Sequence, residues 1–584
     1  MQSTMQHSPL TVQTLFKHGA SLHADREVLT FDGAGVRRIR FGDLARRVHR
    51  LAAALARLGV QQGERVGTFC WNCQEHVEAY FAVPCMGAVL HTLNIRLYPD
   101  QISYIVNHAE NRVVIVEEAL IPLLAPILDK LTCVRHFIVI GNAAAFPGKA
   151  HSYEELLAGE GSPPHPQPPS PGGERGEMRP PHPQPPSPGG ERGEMRPPHP
   201  QPLSPGGERR EMQWPDVEEA SAAAMCYTSG TTGNPKGVVY SHRSIYLHSL
   251  ACASASGFGL NPLDRALVLP SMFHANAWGI PHAGWWVGCD LILPGRFVQS
   301  EPLSRLIELT RPTFAGAVPT IWNDLVRFAE TKPFDWSSLR LAISGGSAVP
   351  RSLIERMQKR HGARLVQIWG MTETGPLAAI SHPPRACDLE EDINWRTKTG
   401  RILHGIELRI VDQGKVLPWD GVAIGEIEIR GPWVTASYYK DDAPEKFNDG
   451  WLRTGDVGAV DPLGYIQITD RAKDVVKSGG EWVSSVELEN HIMAHPDVIE
   501  AAVIAVPDDR WDERPLACIV LKAGSGAKLS DVQSFLAARV VRWWLPERWA
   551  IIAEVPKTSV GKFDKKVLRA RYASGELSVT VVGK

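Results

Sequence analysis

Residues 227–237 read Tyr227-Thr-Ser-Gly-Thr-Thr-Gly-Asn-Pro-Lys-Gly237, and this stretch decides how the rest of the chain is interpreted. Seven of its eleven residues are Thr, Ser or Gly, and one is Lys236. Glycines let backbone N–H groups point at an anion, hydroxyl groups add donors, and the lysine adds a positive charge. The stretch is not a Walker A loop, in which Ser or Thr follows the lysine. The structural alternative is an ordinary flexible turn, but the length and composition favour a phosphate-binding loop.

The segments on both sides of this loop predict an α/β fold. Short apolar runs alternate with helical patterns and lie at 66–70, 90–93, 113–116, 137–140, 267–270, 291–294, 313–317 and 339–344. Such alternation is typical of largely parallel sheets. From about residue 405 the pattern changes to strict apolar–polar alternation, which predicts antiparallel strands in a small β-barrel-like subdomain. The last 110 residues mix helical and strand patterns and predict a small α+β domain.

The loop resembles the phosphate loop of the adenylate-forming superfamily, which includes acyl-CoA synthetases, luciferases and the adenylation domains of peptide synthetases. Six further blocks resemble that family in its own order: Trp369-Gly-Met-Thr-Glu-Thr374, Gly425-Glu-Ile427, Tyr438-Tyr439, Trp451-Leu-Arg-Thr-Gly-Asp456, Asp470-Arg-Ala-Lys-Asp474 and Pro556-Lys-Thr-Ser-Val-Gly-Lys562. The resemblance implies a large N-terminal adenylation domain over 1–470, a hinge over 471–474 and a small mobile lid domain over 475–584.

The resemblance also implies a two-step reaction. A carboxylate and ATP first give an acyl adenylate and pyrophosphate, and the thiol of coenzyme A then attacks the adenylate. ATP, Mg²⁺ and coenzyme A are therefore expected to bind. The first step brings two anions together and builds charge on the phosphorus oxygens, which calls for a metal ion, a positioned lysine and backbone donors.

For the first step, the resemblance implies that Lys562 is the adenylation lysine and that Glu373 and Thr228 are metal ligands. Asp456 is expected at the ribose hydroxyls, and Arg471 at the ribose or phosphate. The other nucleotide-binding residues implied are Ser229, Gly230, Thr231, Thr232, Gly233 and Lys236 in the phosphate loop, and Gly345, Gly346, Ser347, Trp369, Gly370, Met371 and Thr372 near the adenine. For the glycines of the adenine slot, plain turn formation is the alternative.

For the second step, the resemblance places the hinge residue at Lys473. Hinges generally consist of a few residues at the ends of secondary-structure elements. The pantetheine-lining strip implied after it consists of Ser478, Gly479, Gly480, Glu481 and Trp482, where glycine permits close approach. Lys477 is expected near the bridging phosphate. Lys565 and Lys566 are expected to be surface charges.

The segment Pro270-Ser-Met-Phe-His-Ala-Asn-Ala-Trp-Gly279 bears on the acid that is activated. His274 resembles the residue beside the substrate carboxylate, although a lone histidine in an apolar stretch is more often a core residue. Trp278 resembles the gate tryptophan of bacterial long-chain acyl-CoA synthetases. No basic residue is obvious in the expected acyl lining, which comprises Ala317, Val318, Pro319 and the segment from Gly345 onward, and this disfavours a dicarboxylate. A medium- or long-chain fatty acid is the leading expectation, and 3-methylthiopropionate or another short or medium-chain acid is the alternative.

Residues 163–213 are three near-identical copies of a 17-residue unit and hold 17 of the 46 prolines. The segment is nearly free of aliphatic residues, so we expect it to be disordered. A duplicated surface insertion is the favoured interpretation, because loops tolerate insertions. A proline-rich ligand for a partner domain, on a non-enzymatic scaffold, is the alternative. A luciferase-like oxygenase and a peptide-synthetase adenylation domain are rival enzymes of the same superfamily.

Composition limits the partners further. The formal net charge of −2 gives no global basic field for nucleic acid. No apolar run is long enough for a membrane span, which leaves at most a loose membrane association. Nine scattered cysteines predict reduced, buried thiols, and the protein is expected in the cytoplasm. A homodimer is expected only by analogy with similar synthetases.

Overall fold

The computed structural model of the protein describes residues 3–159, 212–228, 234–471, 474–478, 481–557 and 563–582. The α-helices in these ranges are α1 (Val12–Leu22), α2 (Phe41–Arg57), α3 (Gln74–Cys85), α4 (Pro99–His108), α5 (Ile121–Leu124), α6 (Tyr153–Ala158), α7 (His242–Ala253), α8 (Ile280–Val287), α9 (Ser300–Thr310), α10 (Pro319–Thr331), α11 (Arg351–His361), α12 (Leu389–Thr397), α13 (Ser485–Met493), α14 (Leu529–Ala537) and α15 (Lys565–Ala573).

The strands in the same ranges are β1 (Glu27–Phe31), β2 (Val36–Arg40), β3 (Arg65–Phe69), β4 (Val89–Thr92), β5 (Asn111–Glu117), β6 (His136–Ile140), β7 (His151–Ser152), β8 (Ala222–Tyr227), β9 (Gly237–Ser241), β10 (Arg265–Val268), β11 (Asp290–Leu293), β12 (Phe314–Ala317), β13 (Leu341–Ser344), β14 (Leu365–Gly370), β15 (Leu377–Ile380), β16 (Gly400–Ile402), β17 (Glu407–Asp412), β18 (Lys415–Val416), β19 (Gly425–Arg430), β20 (Phe447–Asn448), β21 (Trp451–Val460), β22 (Tyr465–Arg471), β23 (Val476–Ser478), β24 (Glu481–Val483), β25 (Val498–Asp508), β26 (Asp512–Leu521), β27 (Arg548–Ile551) and β28 (Val579–Val581).

A seven-stranded sheet carries the predicted phosphate loop. Its strand order is β7-β6-β5-β3-β4-β8-β9, and its pairs are parallel except for β8 with β9. The loop connects this antiparallel pair, because Tyr227 at the end of β8 lies opposite Gly237 at the start of β9. Helix α3 packs on this sheet, and α2 packs on α3 with a fully buried face of Leu44, Val48 and Leu51.

A fifteen-stranded sheet forms the centre of the N-terminal part. Its parallel section is built from β14, β13, β12, β10, β11 and β1. At β14 the pairing becomes antiparallel and continues through β15, β16, β22, β21, β19, β17 and β18. The predicted antiparallel subdomain is therefore present, and it joins the parallel sheet along one edge.

The last part of the chain builds a smaller six-stranded sheet in the order β24-β23-β26-β27-β28, with β25 paired to β26. Helices α13, α14 and α15 contribute to its two apolar clusters, whose buried members run from Val476 to Leu568. The predicted α/β class with a small α+β unit at the C-terminus is confirmed. In the described parts of the chain, no helix is both long and apolar enough to cross a bilayer.

Candidate active site

A cavity of about 550 Å³ lies where the carboxyl ends of the parallel strands meet the antiparallel section. Its lining follows strand after strand: Ser271 comes after β10, Gly295 after β11, Val318 after β12 and Gly346 after β13. In open α/β sheets ligands bind outside the carboxyl ends of the strands, so the fold itself places a site here.

Most of the predicted site residues that the structure describes line this one cavity. They are Thr228, Lys236, His274, Trp278, Gly346, Trp369, Gly370, Met371, Thr372, Glu373 and Arg471. Residues that are separated by more than two hundred positions in sequence therefore converge on one concave, partly polar space. A concave cavity on which a few polar groups converge is typical of small-molecule sites.

The carboxylate of Glu373 is held in a short turn that follows β14. The side chain is 7% exposed, and its Oε1 accepts a hydrogen bond from the Tyr438 hydroxyl at 2.7 Å. A Cβ at Gly370 would lie 1.7 Å from the Pro376 carbonyl oxygen, so the entry to this turn requires glycine. Tight backbone packing therefore explains this glycine, alongside its place at the cavity.

The two ends of the phosphate loop are tied together by Thr228 and Lys236. The Thr228 N–H donates to the Lys236 carbonyl at 2.9 Å, and the Lys236 N–H donates to the Thr228 hydroxyl at 3.2 Å. The Lys236 ammonium lies 3.1 Å from Asp441 and 3.6 Å from Glu445. The loop is thus closed at its base, with a cation beside the cavity.

Asp456 lies behind the cavity wall and ties three strands together. One carboxylate oxygen accepts from the Trp369 indole N–H at 2.8 Å, and the other lies 2.7 Å from the Arg471 guanidinium. The Asp456 charge raises the pKa of Arg471. Asp456 is 3% exposed, and its geometry fixes both an aromatic ring and a cation that line the cavity.

The segment that carries Trp278 is a left-handed turn. Residues 275–279 have φ values from 44° to 74°, a region that non-glycine residues rarely adopt. His248 packs closely against this turn, since a Cβ at Gly279 would lie 2.6 Å from its imidazole. Both His274 and Trp278 face the cavity, and Trp278 is only 8% exposed.

The sequence did not point to several other lining residues. Trp71 and Asn72 follow β3, Arg96 follows β4, and Val298 and Ile321 complete the wall. For Trp71, Asn72 and Arg96 the position just past a strand end was the available signal, but none of the five residues belongs to a block that resembles the family. Of the expected acyl lining, Val318 and Gly346 line the cavity.

Some predicted residues are not brought to the cavity. Gly345 and Ser347 flank the lining residue Gly346, and Ser478 is buried against the Arg514 guanidinium at 3.2 Å. The predicted residues that lie outside the described parts of the chain are Ser229, Gly230, Thr231, Thr232, Gly233, Lys473, Gly479, Gly480 and Lys562. The same holds for the side chains of Lys477, Glu481 and Trp482, and for the insertion 163–213 except its last two residues.

The expectation that Lys565 is a surface charge is wrong. Its ammonium is buried and lies 2.7 Å from Glu489, and it also donates to the Ser485 hydroxyl. Ser485 in turn donates to Asp470, so the network links α15 to the end of β22. Lys566 is exposed, as predicted.

Comparison with known proteins agrees with this architecture. Residues 16–439 match the family model described as AMP-binding enzyme, and residues 487–562 match the AMP-binding enzyme C-terminal domain. The chain therefore belongs to the AMP-binding, adenylate-forming enzymes. Within them it falls in the acyl-CoA synthetase branch, because its curated relatives are acid–CoA ligases.

Three of these relatives align over nearly their full length. A 3-methylmercaptopropionyl-CoA ligase of Ruegeria lacuscaerulensis is 37% identical, over 98% of this chain and 99% of its own. A medium-chain-fatty-acid–CoA ligase of Ectopseudomonas oleovorans is 36% identical, over 98% of each chain. A long-chain-fatty-acid–CoA ligase of Thermus thermophilus is 38% identical, over 98% of this chain and 97% of its own.

Solved structures support the fold. The crystal structure of an anthranilate CoA ligase in complex with anthranoyl-AMP matches with a TM-score of 0.82, over 99% of this chain and all of the other, at 24% identity. At that identity the likeness concerns the fold alone.

Proposed function

We propose that the protein converts an aliphatic carboxylic acid, ATP and coenzyme A into an acyl-CoA, AMP and pyrophosphate. The observation that carries this proposal is the single cavity in which Glu373, Lys236, Arg471 and His274 meet an apolar wall. A carboxylate oxygen of the acid attacks the α-phosphorus as the bond to pyrophosphate breaks. The coenzyme A sulfur then attacks the acyl carbon, and AMP leaves.

The roles proposed for the individual residues are the following. Trp369 and Gly346 flank the adenine, Asp456 with Arg471 binds the ribose, and Lys236 binds the phosphates. His274 orients the acid carboxylate, and Trp278 closes the acyl chamber. Lys477 and the strip 478–482 serve the second step, with rotation about Lys473 between domains bounded at 470 and 475.

The donors at Glu373 and Thr228 fit Mg²⁺. Both line the cavity, and both offer oxygen, which this ion prefers. Among the described residues there is no cluster of three or more His, Cys, Asp or Glu that could cage a metal, and this suits an ion held mainly by ATP phosphates and water. When bound with ATP, Mg²⁺ supplies positive charge at the phosphate oxygens.

Lys562 is the proposed cation at the reacting carboxylate and α-phosphate. The base of its loop is closed, because Lys557 pairs with Phe563 and the Asp564 N–H donates to the Pro556 carbonyl at 2.7 Å. The small domain also contacts α10, because the Arg327 guanidinium donates to the Ile499 carbonyl at 3.2 Å.

The proposed acid is a medium- or long-chain fatty acid, and 3-methylthiopropionate is the second candidate. The first rests on the apolar wall and on two fatty-acid–CoA ligase relatives, and the second on the Ruegeria relative. The nine free cysteines, seven of them buried, support a reducing compartment such as the cytoplasm. A homodimer and a loose membrane association stay predictions.

The test is a pyrophosphate and AMP assay with acids of graded chain length, including 3-methylthiopropionate, with and without coenzyme A. We expect acid-dependent pyrophosphate release, with full turnover only when coenzyme A is present. The ranking of kcat/KM values decides between the two acid classes. Lys562→Ala should suppress pyrophosphate release, and a chain that releases none with any acid would refute the proposal.

A further inference from the structure

The hydroxyl of Tyr438 is the donor that the structure places on the Glu373 carboxylate, at 2.7 Å, with both residues more than nine-tenths buried. We propose that Tyr438 is a positioning residue that aims the Glu373 carboxylate at the metal ion of bound ATP and couples it to Lys236. This inference rests on the proposed function, because it assumes that Glu373 binds the metal.

The backbone around Tyr438 is fixed to both halves of the nucleotide site. The Thr435 N–H donates to the Glu373 carbonyl at 2.8 Å, and the Tyr439 N–H donates to the Gly237 carbonyl at 2.8 Å. The segment 435–439 therefore bridges the turn that carries the carboxylate and the strand that ends the phosphate loop. A side chain on this bridge can set the distance between the two.

Tyr438 contacts the cation as well as the carboxylate. The Lys236 ammonium lies 5.1 Å from the centre of the Tyr438 ring, within the range of a cation–π contact. One rigid aromatic side chain thus touches both charged groups that would face the metal–phosphate unit. Asp441, three residues later, is the ion-pair partner of the same lysine at 3.1 Å.

The chemistry of the contact suits a metal ligand. A neutral hydroxyl donor orients a carboxylate without cancelling its charge, which a lysine or arginine donor would do. The Tyr438 hydroxyl is the donor in this contact and the Glu373 oxygen is the acceptor. A carboxylate accepts at about four lone-pair positions, so one donor on Oε1 leaves room for a metal.

The expected size of the effect follows from other metal sites. Removing a group that orients a metal ligand costs about 10–100-fold in metal affinity. Tyr438→Phe removes the hydroxyl and keeps the ring over Lys236. The substitution should therefore lower the affinity for the metal ion and change the affinity for ATP much less.

The experiment measures equilibrium binding with the full chain. Without a carboxylic acid ATP is not consumed, so Mg²⁺ can be titrated calorimetrically into ATP-saturated protein, and Mn²⁺ binding can be followed by electron paramagnetic resonance. We expect Tyr438→Phe to weaken metal binding about 10–100-fold, with ATP affinity in EDTA changed far less. Tyr465→Phe is the matched control, since its buried hydroxyl donates to the His382 carbonyl, away from the cavity. That variant should lower stability and leave metal binding unchanged.

Two further variants separate the possible failures. If Glu373→Gln binds metal as the wild type does, the metal role in the proposed function is wrong. If Glu373→Gln loses metal and Tyr438→Phe binds it within twofold of wild type, the present inference alone is overturned. The double variant Glu373→Gln/Tyr438→Phe gives a further check, because a residue that acts through Glu373 adds no further loss of metal affinity, and an additional loss would contradict the inference.

Discussion

Asp456 shows how much depends on one carboxylate at the residue scale. It holds the Trp369 indole at 2.8 Å and the Arg471 guanidinium at 2.7 Å, and both of those side chains line the cavity. Asp456→Asn keeps the shape but removes the charge that pairs with Arg471. We expect kcat/KM for ATP to fall about 10–100-fold, equivalent to about 1.4–2.7 kcal/mol, with little change in KM for the acid.

Steady-state kinetics with varied ATP test this expectation. Glu426→Gln is the control, because Glu426 pairs with Arg453 at 2.6 Å on neighbouring strands of the same sheet without lining the cavity. If both variants lost activity equally, the effect of Asp456→Asn would come from a general weakening of the sheet and not from a loss of nucleotide binding.

The same scale shows where sequence reasoning succeeds. Glu373, Trp369 and Arg471 could be placed in one site because the blocks that carry them resemble a known family. Trp71 and Arg96 could not be placed there, since neither belongs to a block that resembles the family. Only the packing of two separate sheets brings them to the cavity. The prediction for Lys565 is wrong because a pair of lysines at the start of a helix is typical of a solvent-exposed position. Its burial depends on the opposing Glu489, which lies seventy-six residues earlier in the chain.

At the element scale, the left-handed turn 275–279 is the feature most open to test. Gly279 has φ 74°, and a Cβ there would lie 2.6 Å from the His248 ring. Gly279→Ala should strain the turn by about 1–3 kcal/mol and displace Trp278. We expect a lower melting temperature together with a changed dependence of kcat/KM on acid chain length.

Gly288→Ala is the matched control for this turn. Gly288 has the same φ of 74°, and a Cβ there would lie 2.3 Å from the ring of His23, at the other end of α8. It should lower the melting temperature and leave the chain-length profile unchanged. If Gly279→Ala also left the chain-length profile unchanged, the turn would not control the position of Trp278 at the acyl chamber.

At the scale of the whole molecule, five buried histidines tie stability to pH. Burial lowers the pKa of His76, His91, His242 and His282 to about 4 and that of His248 to about 3, so all five are neutral in the folded protein near pH 7. The unfolded chain takes up protons at these groups below its ordinary pKa of about 6.5. Their contribution to stability is therefore present above pH 6.5 and is lost as the pH falls toward 4.

Replacing one of them isolates the effect from the carboxyl groups. His282 is buried between the rings of Tyr80 and Phe81, so His282→Phe keeps an aromatic ring there. Relative to wild type, we expect the variant to gain about 1.4 kcal/mol of unfolding free energy per pH unit below 6.5. Urea unfolding at several pH values measures this, and parallel pH curves for the two proteins would contradict it.

The central claim is that the acid's own oxygen bonds to the α-phosphorus of ATP in this cavity. The most direct measurement uses a carboxylic acid labelled with ¹⁸O, followed by mass spectrometry of the products after one turnover with coenzyme A. The account predicts one ¹⁸O atom in AMP and none in pyrophosphate, since the adenylate ester is cleaved at the acyl carbon. Unlabelled AMP, or label in a phosphate released from the far end of ATP, would contradict it.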